Sequence, residues 1–217
     1  MRIQIISLFP EMFDGVLNSS MLFKAQKTGA VSFGQINLRE FGKGPRKTVD
    51  DTPYGGGDGM LLMIEPLVKA IEFAKSKDET ATVILPTPAG KTYKQSAATQ
   101  LASAANGLII VCPRYEGYDQ RLLKWVDETY SIGNYVITGG ELAAMVIIDS
   151  VVRLLPGVLG GENSAEIESF MGDDKTIEFP QYTRPEDFRG LKVPKVLING
   201  HHAEIEKWRA SNNRPGQ

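Results

Sequence analysis

The spacing of apolar residues divides the chain into two textures. Through the first two thirds, short β-type runs alternate with stretches of helical period. Ile3 to Phe9 is predicted as a strand. Pro10 to Lys27 follows as a helix with its proline near the start, where an absent N–H is tolerated. Val31 to Phe41 reads as extended. Residues 42–60, GKGPRKTVDDTPYGGGDGM, have no helical period and much glycine and proline, which predicts a long loop. Ile64, Leu67, Val68, Ile71 and Ala74 form a helical stripe over Ile64 to Lys75. Val83 to Leu85 is a short buried strand, Thr92 to Ala104 a helix, Leu108 to Cys112 a near-continuously apolar strand, and Ile132 to Ile137 a further strand. Glu141 to Leu155 is apolar almost all round, as a buried helix is.

This alternation predicts an α/β fold, a mostly parallel sheet with helices on both faces; on the residues alone an open Rossmann-like sheet is expected. After Pro156 the pattern lapses. Residues 157–181 are rich in glycine and acids, without apolar period, and read as a linker or mobile loop. Residues 182–217 are more basic and contain a helix candidate, Ala203 to Ala210. The expected organisation is a main domain over 1–160, a linker or active-site loop over 161–181, and a small C-terminal domain over 182–217.

Composition narrows the class. The hydrophobic fraction is 42% and the charged fraction 23% over 217 residues, an ordinary globular mixture with enough chain for a real core. The single cysteine, Cys112, lies in the apolar run Leu108-Ile109-Ile110-Val111 and reads as a buried small residue. One thiol cannot form an internal disulfide, which fits a reducing cytosol. No run approaches the roughly 20 apolar residues of a membrane span. The N-terminus lacks the pattern of a secretory signal, so a cytoplasmic protein is expected. The net charge of −2 argues against generic nucleic-acid binding but leaves room for local basic patches. Two exist: Lys43, Arg46 and Lys47 in the first long loop, and Arg184, Arg189, Lys192, Lys195, Lys207, Arg209 and Arg214 in the tail. Solvated surface is the ordinary reading of such charges; their clustering tilts toward a phosphate-contacting face.

Candidate chemistry concentrates at strand ends, because ligands of parallel α/β sheets sit at the carboxyl ends of strands. Three predicted ends carry turn residues: Leu85-Pro86-Thr87-Pro88-Ala89-Gly90, Cys112-Pro113-Arg114-Tyr115-Glu116-Gly117, and Ser131-Ile132-Gly133-Asn134-Tyr135-Val136-Ile137-Thr138-Gly139-Gly140. Gly139-Gly140 lies between a strand and a helix, where unpaired N–H groups are expected to point outward. Ordinary loop punctuation explains any one of these more readily than it explains all three. Other sites find no support. Tyr54-Gly55-Gly56-Gly57-Asp58-Gly59-Met60 fits neither the dinucleotide fingerprint nor a phosphate loop, and reads as a turn needing positive φ. His201 and His202 are adjacent and would diverge on a helix, which makes a poor zinc pair. No G-x-S-x-G elbow is present.

A set of strings, taken in order, resembles the TrmD family of bacterial tRNA (guanine-N1)-methyltransferases. They include Ile6-Ser7-Leu8-Phe9-Pro10-Glu11-Met12-Phe13, Thr48-Val49-Asp50-Asp51, Pro53-Tyr54-Gly55-Gly56-Gly57, Arg114-Tyr115-Glu116-Gly117, Ser131-Ile132-Gly133 and Gly139-Gly140-Glu141-Leu142. Pro156-Gly157-Val158-Leu159-Gly160, Tyr182-Thr183-Arg184-Pro185 and His202-Ala203-Glu204-Ile205 continue the series. The resemblance implies a SPOUT-type sheet with a trefoil knot and a homodimer whose active sites draw on both subunits. It implies that the loops at 85–90, 113–117 and 132–140 wrap S-adenosylmethionine. The substrate implied is tRNA, methylated at N1 of the guanine immediately 3′ of the anticodon. Arg153 falls where the family's guanidinium stands and Glu168 where its proton-accepting carboxylate stands. Magnesium enters as an assisting ion whose ligands are not readable, with Glu116 a candidate. By the same resemblance Arg46, Lys47, Arg184, Lys207 and Arg209 are the RNA-contacting cations. The chain departs from the family in having Glu168 for the usual aspartate and Pro113 for the usual glycine. It also stops soon after Trp208-Arg209, so a compact tail domain is expected. A SPOUT relative acting on another RNA, and a non-catalytic RNA- or donor-binding protein, are the alternatives.

Overall fold

The computed structural model describes residues 1–104, 106–160, 168–170 and 172–215. They fall into two compact units, residues 1–160 and 161–217. The first unit is built on five strands: β1 (Arg2–Ser7), β2 (Ser32–Asn37), β3 (Thr82–Thr92), β4 (Leu108–Val111) and β5 (Glu128–Ser131). Their order across the sheet is β2-β1-β4-β3-β5, and every pairing is parallel. The principal helices of this unit are α1 (Ser20–Lys27), α2 (Ile64–Lys75), α3 (Gln95–Ser103) and α4 (Gly140–Val152). The expected mostly parallel α/β sheet is therefore what the chain forms.

Alternation along the strands divides the core into two layers. Ile3, Ile5, Ile84, Leu108 and Ile110 pack in one layer with Ile147, Ile148 and Val151 of α4. Ile6, Val83, Leu85, Ile109 and Val111 pack in the other with Leu67, Ala70, Ile71 and Ala74 of α2. Both sheet faces are thus covered, which is why these strands read as continuous apolar runs rather than alternating ones. Cys112 is completely buried in the first layer. Burial, reinforced by the nearby Glu141 carboxylate and opposed by Arg114, pushes its thiol well up, so it behaves as a small apolar residue.

Several boundaries differ from the sequence expectation. The helix predicted over Pro10–Lys27 is a 3-10 turn (Pro10–Phe13), one helical turn (Asp14–Leu17) and α1. Asn18 Nδ2 donates to the Asp14 carbonyl at 2.9 Å, a side-chain bond that competes with helix continuation at Asn18-Ser19. The extended stretch Val31–Phe41 ends at Asn37, whose side chain accepts from Arg39 N–H and caps a 3-10 turn over Leu38–Phe41. The loop 42–60 is interrupted by Asp50–Asp51, paired antiparallel with Leu61–Leu62. The strand expected at Val83–Leu85 continues to Thr92 with a register break between Pro86 and Lys91, both opposite Tyr130. Pro86 and Pro88 have no N–H for a ladder, so the chain leaves the sheet there and returns. The strand predicted over Ile132–Ile137 is not formed: the strand is Glu128–Ser131, and 132–139 is loop. Val136 is 93% exposed and Gly133 has φ +149°, neither compatible with a buried central strand. The helix α4 is not buried all round, since Leu142 and Val146 are about half exposed on one face.

In the second unit, Asp187–Phe188 pairs antiparallel with Leu191–Lys192, and Thr176–Ile177 with Arg214–Pro215. Arg189 and Gly190 close the first hairpin with positive φ at both positions, the two-residue turn that matches strand twist. The helix α5 (His202–Ser211) carries Trp208 against Phe179 and Tyr182, each at 6.4 Å between ring centres. The expected linker begins with residues 161–167, which lie outside the described residues.

One polar contact inside the first unit has a testable pH signature. Tyr93 Oη and Ser150 Oγ of α4 share a 2.7 Å hydrogen bond, and the Tyr93 ring meets Tyr130 edge-on at 5.3 Å. Burial pushes the Tyr93 hydroxyl from 10.0 up to about 12. Its folded value exceeds its unfolded one, so its contribution is whole below pH 10.0 and lost as pH rises through about 12. Tyr93→Phe is expected to cost about 1 kcal/mol near neutrality. Urea unfolding at about pH 8 and about pH 11 should show wild type and variant converging in stability as pH rises. A constant difference between them would contradict this.

Candidate functional site

The Pro86–Ala89 excursion that interrupts β3, and the loops that leave β4 and β5, open into one cleft of about 400 Å³, a volume suited to a cofactor-sized molecule. All three loops singled out in the sequence meet there. Pro86, Thr87 and Pro88 line it from the first loop, Pro113, Tyr115, Glu116 and Gly117 from the second. Ile132, Gly133, Tyr135, Val136, Ile137, Gly139 and Gly140 line it from the third. Two expected residues stand apart. Leu85 is completely buried in the sheet's second core layer, and Asn134 is not among the lining residues. Tyr118, Gln120, Tyr130 and Ala143 line the cleft without a sequence signal that singles them out. Tyr130 is hidden because the apolar residues after it draw the predicted strand too late, and Ala143 because it faces the cleft from the first turn of α4.

Tight backbone approaches hold the loops together. Gly140 N–H donates to the Pro113 carbonyl at 2.8 Å. Rather than facing a ligand, as its place before a helix suggests, that N–H ties the third loop to the second. A Cβ on Gly140 would lie 2.4 Å from Pro113 Cδ and 2.9 Å from Pro113 N, so only glycine fits. Pro113 itself offers no N–H; its part here is its carbonyl and its ring. The second loop is anchored on its other side, where Glu116 N–H donates to the Met60 carbonyl at 3.0 Å. A Cβ on Gly59 would lie 2.5 Å from Glu116 Cγ. The glycine-rich turn has positive φ at Gly55, Gly56, Gly57 and Gly59, as its composition requires.

The polar groups beneath the cleft form one connected set. Glu141, in the first turn of α4, is 1% exposed. Ser7 Oγ donates to its Oε1 at 2.8 Å, and Arg114 Nε lies 2.8 Å from its Oε2. Arg114 lies over the Phe9 ring at 4.6 Å and donates to the Thr138 carbonyl at 3.4 Å.

The other predicted residues lie elsewhere. Arg153 is the C-terminal cap of α4, half-buried, at the end of the helix opposite the cleft. Glu168 belongs to the second unit and is half-buried. Arg46 and Lys47 are exposed on the turn closed by the Lys43–Thr48 bridge, while Lys43 pairs with Glu65 at 2.7 Å. Arg184, Lys207 and Arg209 are exposed in the second unit, with Arg209 over the Phe179 ring at 5.0 Å. Among the described residues no group of three or more His, Cys, Asp or Glu side chains could hold a metal ion. Glu116 lines the cleft without such company.

Comparison with known proteins gives a consistent result. The family described as tRNA (Guanine-1)-methyltransferase TrmD matches residues 1–215. The tRNA (guanine-N(1)-)-methyltransferase of Halalkalibacterium halodurans is 54% identical over 211 residues, covering 96% of this chain and 85% of that protein. Its counterpart in Geobacter sulfurreducens is 50% identical over 210 residues, covering 96% of this chain and 84% of that protein. The crystal structure of the tRNA (m1G37) methyltransferase from Aquifex aeolicus is similar with a TM-score of 0.79 at 36% identity. That match covers 96% of this chain and 87% of the other.

The glycine contacts give a direct prediction. Gly140→Ala must displace backbone at Pro113 and is expected to destabilise the protein by about 1–3 kcal/mol. Gly15 provides the contrast, since a methyl group there would meet nothing within 4 Å. Gly15→Ala in the helical turn Asp14–Leu17 should be neutral or stabilising by roughly 0.5 kcal/mol. Urea unfolding of both variants tests this, and equal stabilities would show that the loops are not in obligatory contact.

Proposed function

The chain belongs to the TrmD family of tRNA (guanine-1)-methyltransferases, and from that membership we propose that it methylates N1 of the guanine immediately 3′ of the tRNA anticodon. The observation that carries this reading is the convergence of three strand-end loops on one cleft at the carboxyl edge of the parallel sheet. S-adenosylmethionine supplies an electrophilic methyl carbon on a sulfonium, which needs alignment with its acceptor more than activation. The cleft fits that molecule. Tyr115, Ile132, Tyr135 and Ile137 offer aromatic and aliphatic surface for a base. Gly133, Gly139 and Gly140 let the backbone come close. No helix among the described residues is long and apolar enough to cross a membrane.

The acceptor chemistry falls to Glu168 and Arg153. Guanine N1 carries a proton and attacks poorly while it does. Glu168 takes that proton as the N1–methyl bond forms and the methyl–sulfur bond breaks, the sulfonium leaving as a neutral thioether. Charge that gathers on the guanine carbonyl oxygen is stabilised by the Arg153 guanidinium. Magnesium has Glu116 as its candidate ligand, but the described residues gather no cation site around it, so no step is assigned to the ion.

The working enzyme is a homodimer in this reading. Arg153 stands 13 residues beyond Gly140 on a continuous helix, about 20 Å along its axis. It cannot serve the cleft at the start of its own helix. Leu142 and Val146 form an apolar stripe on the exposed face of α4, with Met12, Val16 and Phe23 also exposed. Two copies packed through that stripe bring Arg153 of one toward the cleft of the other. A knotted path through the 113–117 and 132–140 loops is part of the same proposal, carried by the family membership. Arg46, Lys47, Arg184, Lys207 and Arg209 are assigned to tRNA phosphates, a role their exposure permits.

The test is incubation with labelled S-adenosylmethionine and a tRNA bearing guanines at the third anticodon position and directly after it. The expected product is 1-methylguanosine, lost when the second guanine is replaced. Glu168→Gln should lower kcat by about 10²–10⁴-fold, and Arg153→Ala by about 10²–10³-fold. Absence of product with the wild-type protein would overturn the reading. Full activity in Glu168→Gln would remove that residue from the chemistry.

A further inference from the structure

We propose that Glu141 is a positioning residue for the methyl-donor cleft: it holds the Arg114 guanidinium so that the second and third strand-end loops keep the geometry the donor needs. The inference rests on the reading of the cleft as the donor site. A carboxylate that is 1% exposed loses several kcal/mol of hydration unless partners replace the water. Glu141 has two. Ser7 Oγ donates to Oε1 at 2.8 Å, and the same oxygen of Ser7 accepts from Phe9 N–H at 2.9 Å. Arg114 Nε stands 2.8 Å from Oε2. Neither Arg114 Nε nor Glu141 Oε2 has an aligned hydrogen-bond partner among the described residues, so charge rather than N–H direction holds that contact.

The guanidinium is the junction. It covers the Phe9 ring at 4.6 Å, donates to Thr138 O at 3.4 Å and approaches Met12 Sδ at 3.1 Å. One ion pair therefore joins the end of β1, the second loop and the third loop. The contact with the third loop is close: a Cβ on Gly139 would lie 2.4 Å from Arg114 Nε and 2.6 Å from Glu141 Oε2. Stability alone does not account for a charged pair here. Apolar residues of similar volume are often neutral or stabilising in such places, and the surrounding layer is already apolar. What an apolar pair would not supply is a fixed guanidinium plane against which two loops are set. The first turn of a helix, where α4 begins, is also an electrostatically favourable place for a carboxylate.

Calorimetric titration with S-adenosylmethionine and steady-state methylation of tRNA test the proposal together. Glu141→Gln should weaken donor binding and raise the donor KM by about 10-fold or more, with kcat and the tRNA KM changed less than about threefold. Ser7→Ala, a milder change, should shift donor affinity the same way by about two- to fivefold. Glu141→Gln with Arg114→Met removes both charges and should recover much of the melting temperature lost in the single variant, without recovering donor affinity. Donor affinity unchanged in Glu141→Gln would overturn the proposal. So would recovery of affinity along with stability in the double variant, since the pair would then be structural only. Failure of the wild-type protein to bind the donor would instead overturn the assignment of the cleft.

Discussion

A parallel sheet brings the carboxyl ends of its strands to one edge, and everything that gives this protein a site follows from that alignment. β3 leaves the sheet at Pro86 beside the ends of β4 and β5, so its excursion and the loops that follow those two strands have to share space. The sharing is tight. Gly140 N–H binds the Pro113 carbonyl, Gly139 lies on the Arg114–Glu141 pair, and Gly59 lies on Glu116. The first two contacts require a residue without a Cβ on one side, and the third sits at a glycine held at positive φ. Gly140 and Gly139 are where they are because backbone meets backbone or a buried ion pair, and the cleft is the space those meetings leave.

The same helix that seals one end of the cleft separates it from Arg153, the residue proposed for the acceptor chemistry. α4 begins at Gly140 beneath the loops and ends at Val152, and helix geometry sets Arg153 far from the place where it begins. The face of α4 turned away from the core carries Leu142 and Val146. Leaving this apolar stripe in water is unfavourable. In the proposed dimer a second copy would cover the stripe and bring Arg153 to the other cleft, which would answer two separate features of one helix.

Much of this is legible in the residues. The stripe at Ile64, Leu67, Ile71 and Ala74 marks α2 with its limits, and the apolar runs at 83–85 and 108–111 mark central strands because both sheet faces are covered. The three strand-end loops are recognisable from glycine, proline and position. What misleads is side-chain type where the cleft, not the core, uses apolar residues. Ile132, Val136 and Ile137 have strand-forming side chains but line the cleft, so the pattern places β5 four residues late. Leu85 reads as part of the cleft from its loop and is held by the core instead. The Gly140 N–H pairs within the protein, a contact between loops that no local pattern reveals. The proposed roles of Arg153 and Glu168 come from resemblance, because a cap residue and a half-buried acid carry no chemical signature of their own.

The proposed division of the site between two copies can be tested by complementation. One chain carries Gly140→Val to disrupt the donor cleft, and its partner carries Arg153→Ala with Glu168→Gln. Each homodimer alone should be nearly inactive. In the mixed dimer one donor cleft remains intact and faces the intact Arg153 and Glu168 of the other chain, so about half of the wild-type activity per dimer is expected. A mixed dimer as inactive as its parents would contradict a site shared across copies and would place the whole chemistry within one chain.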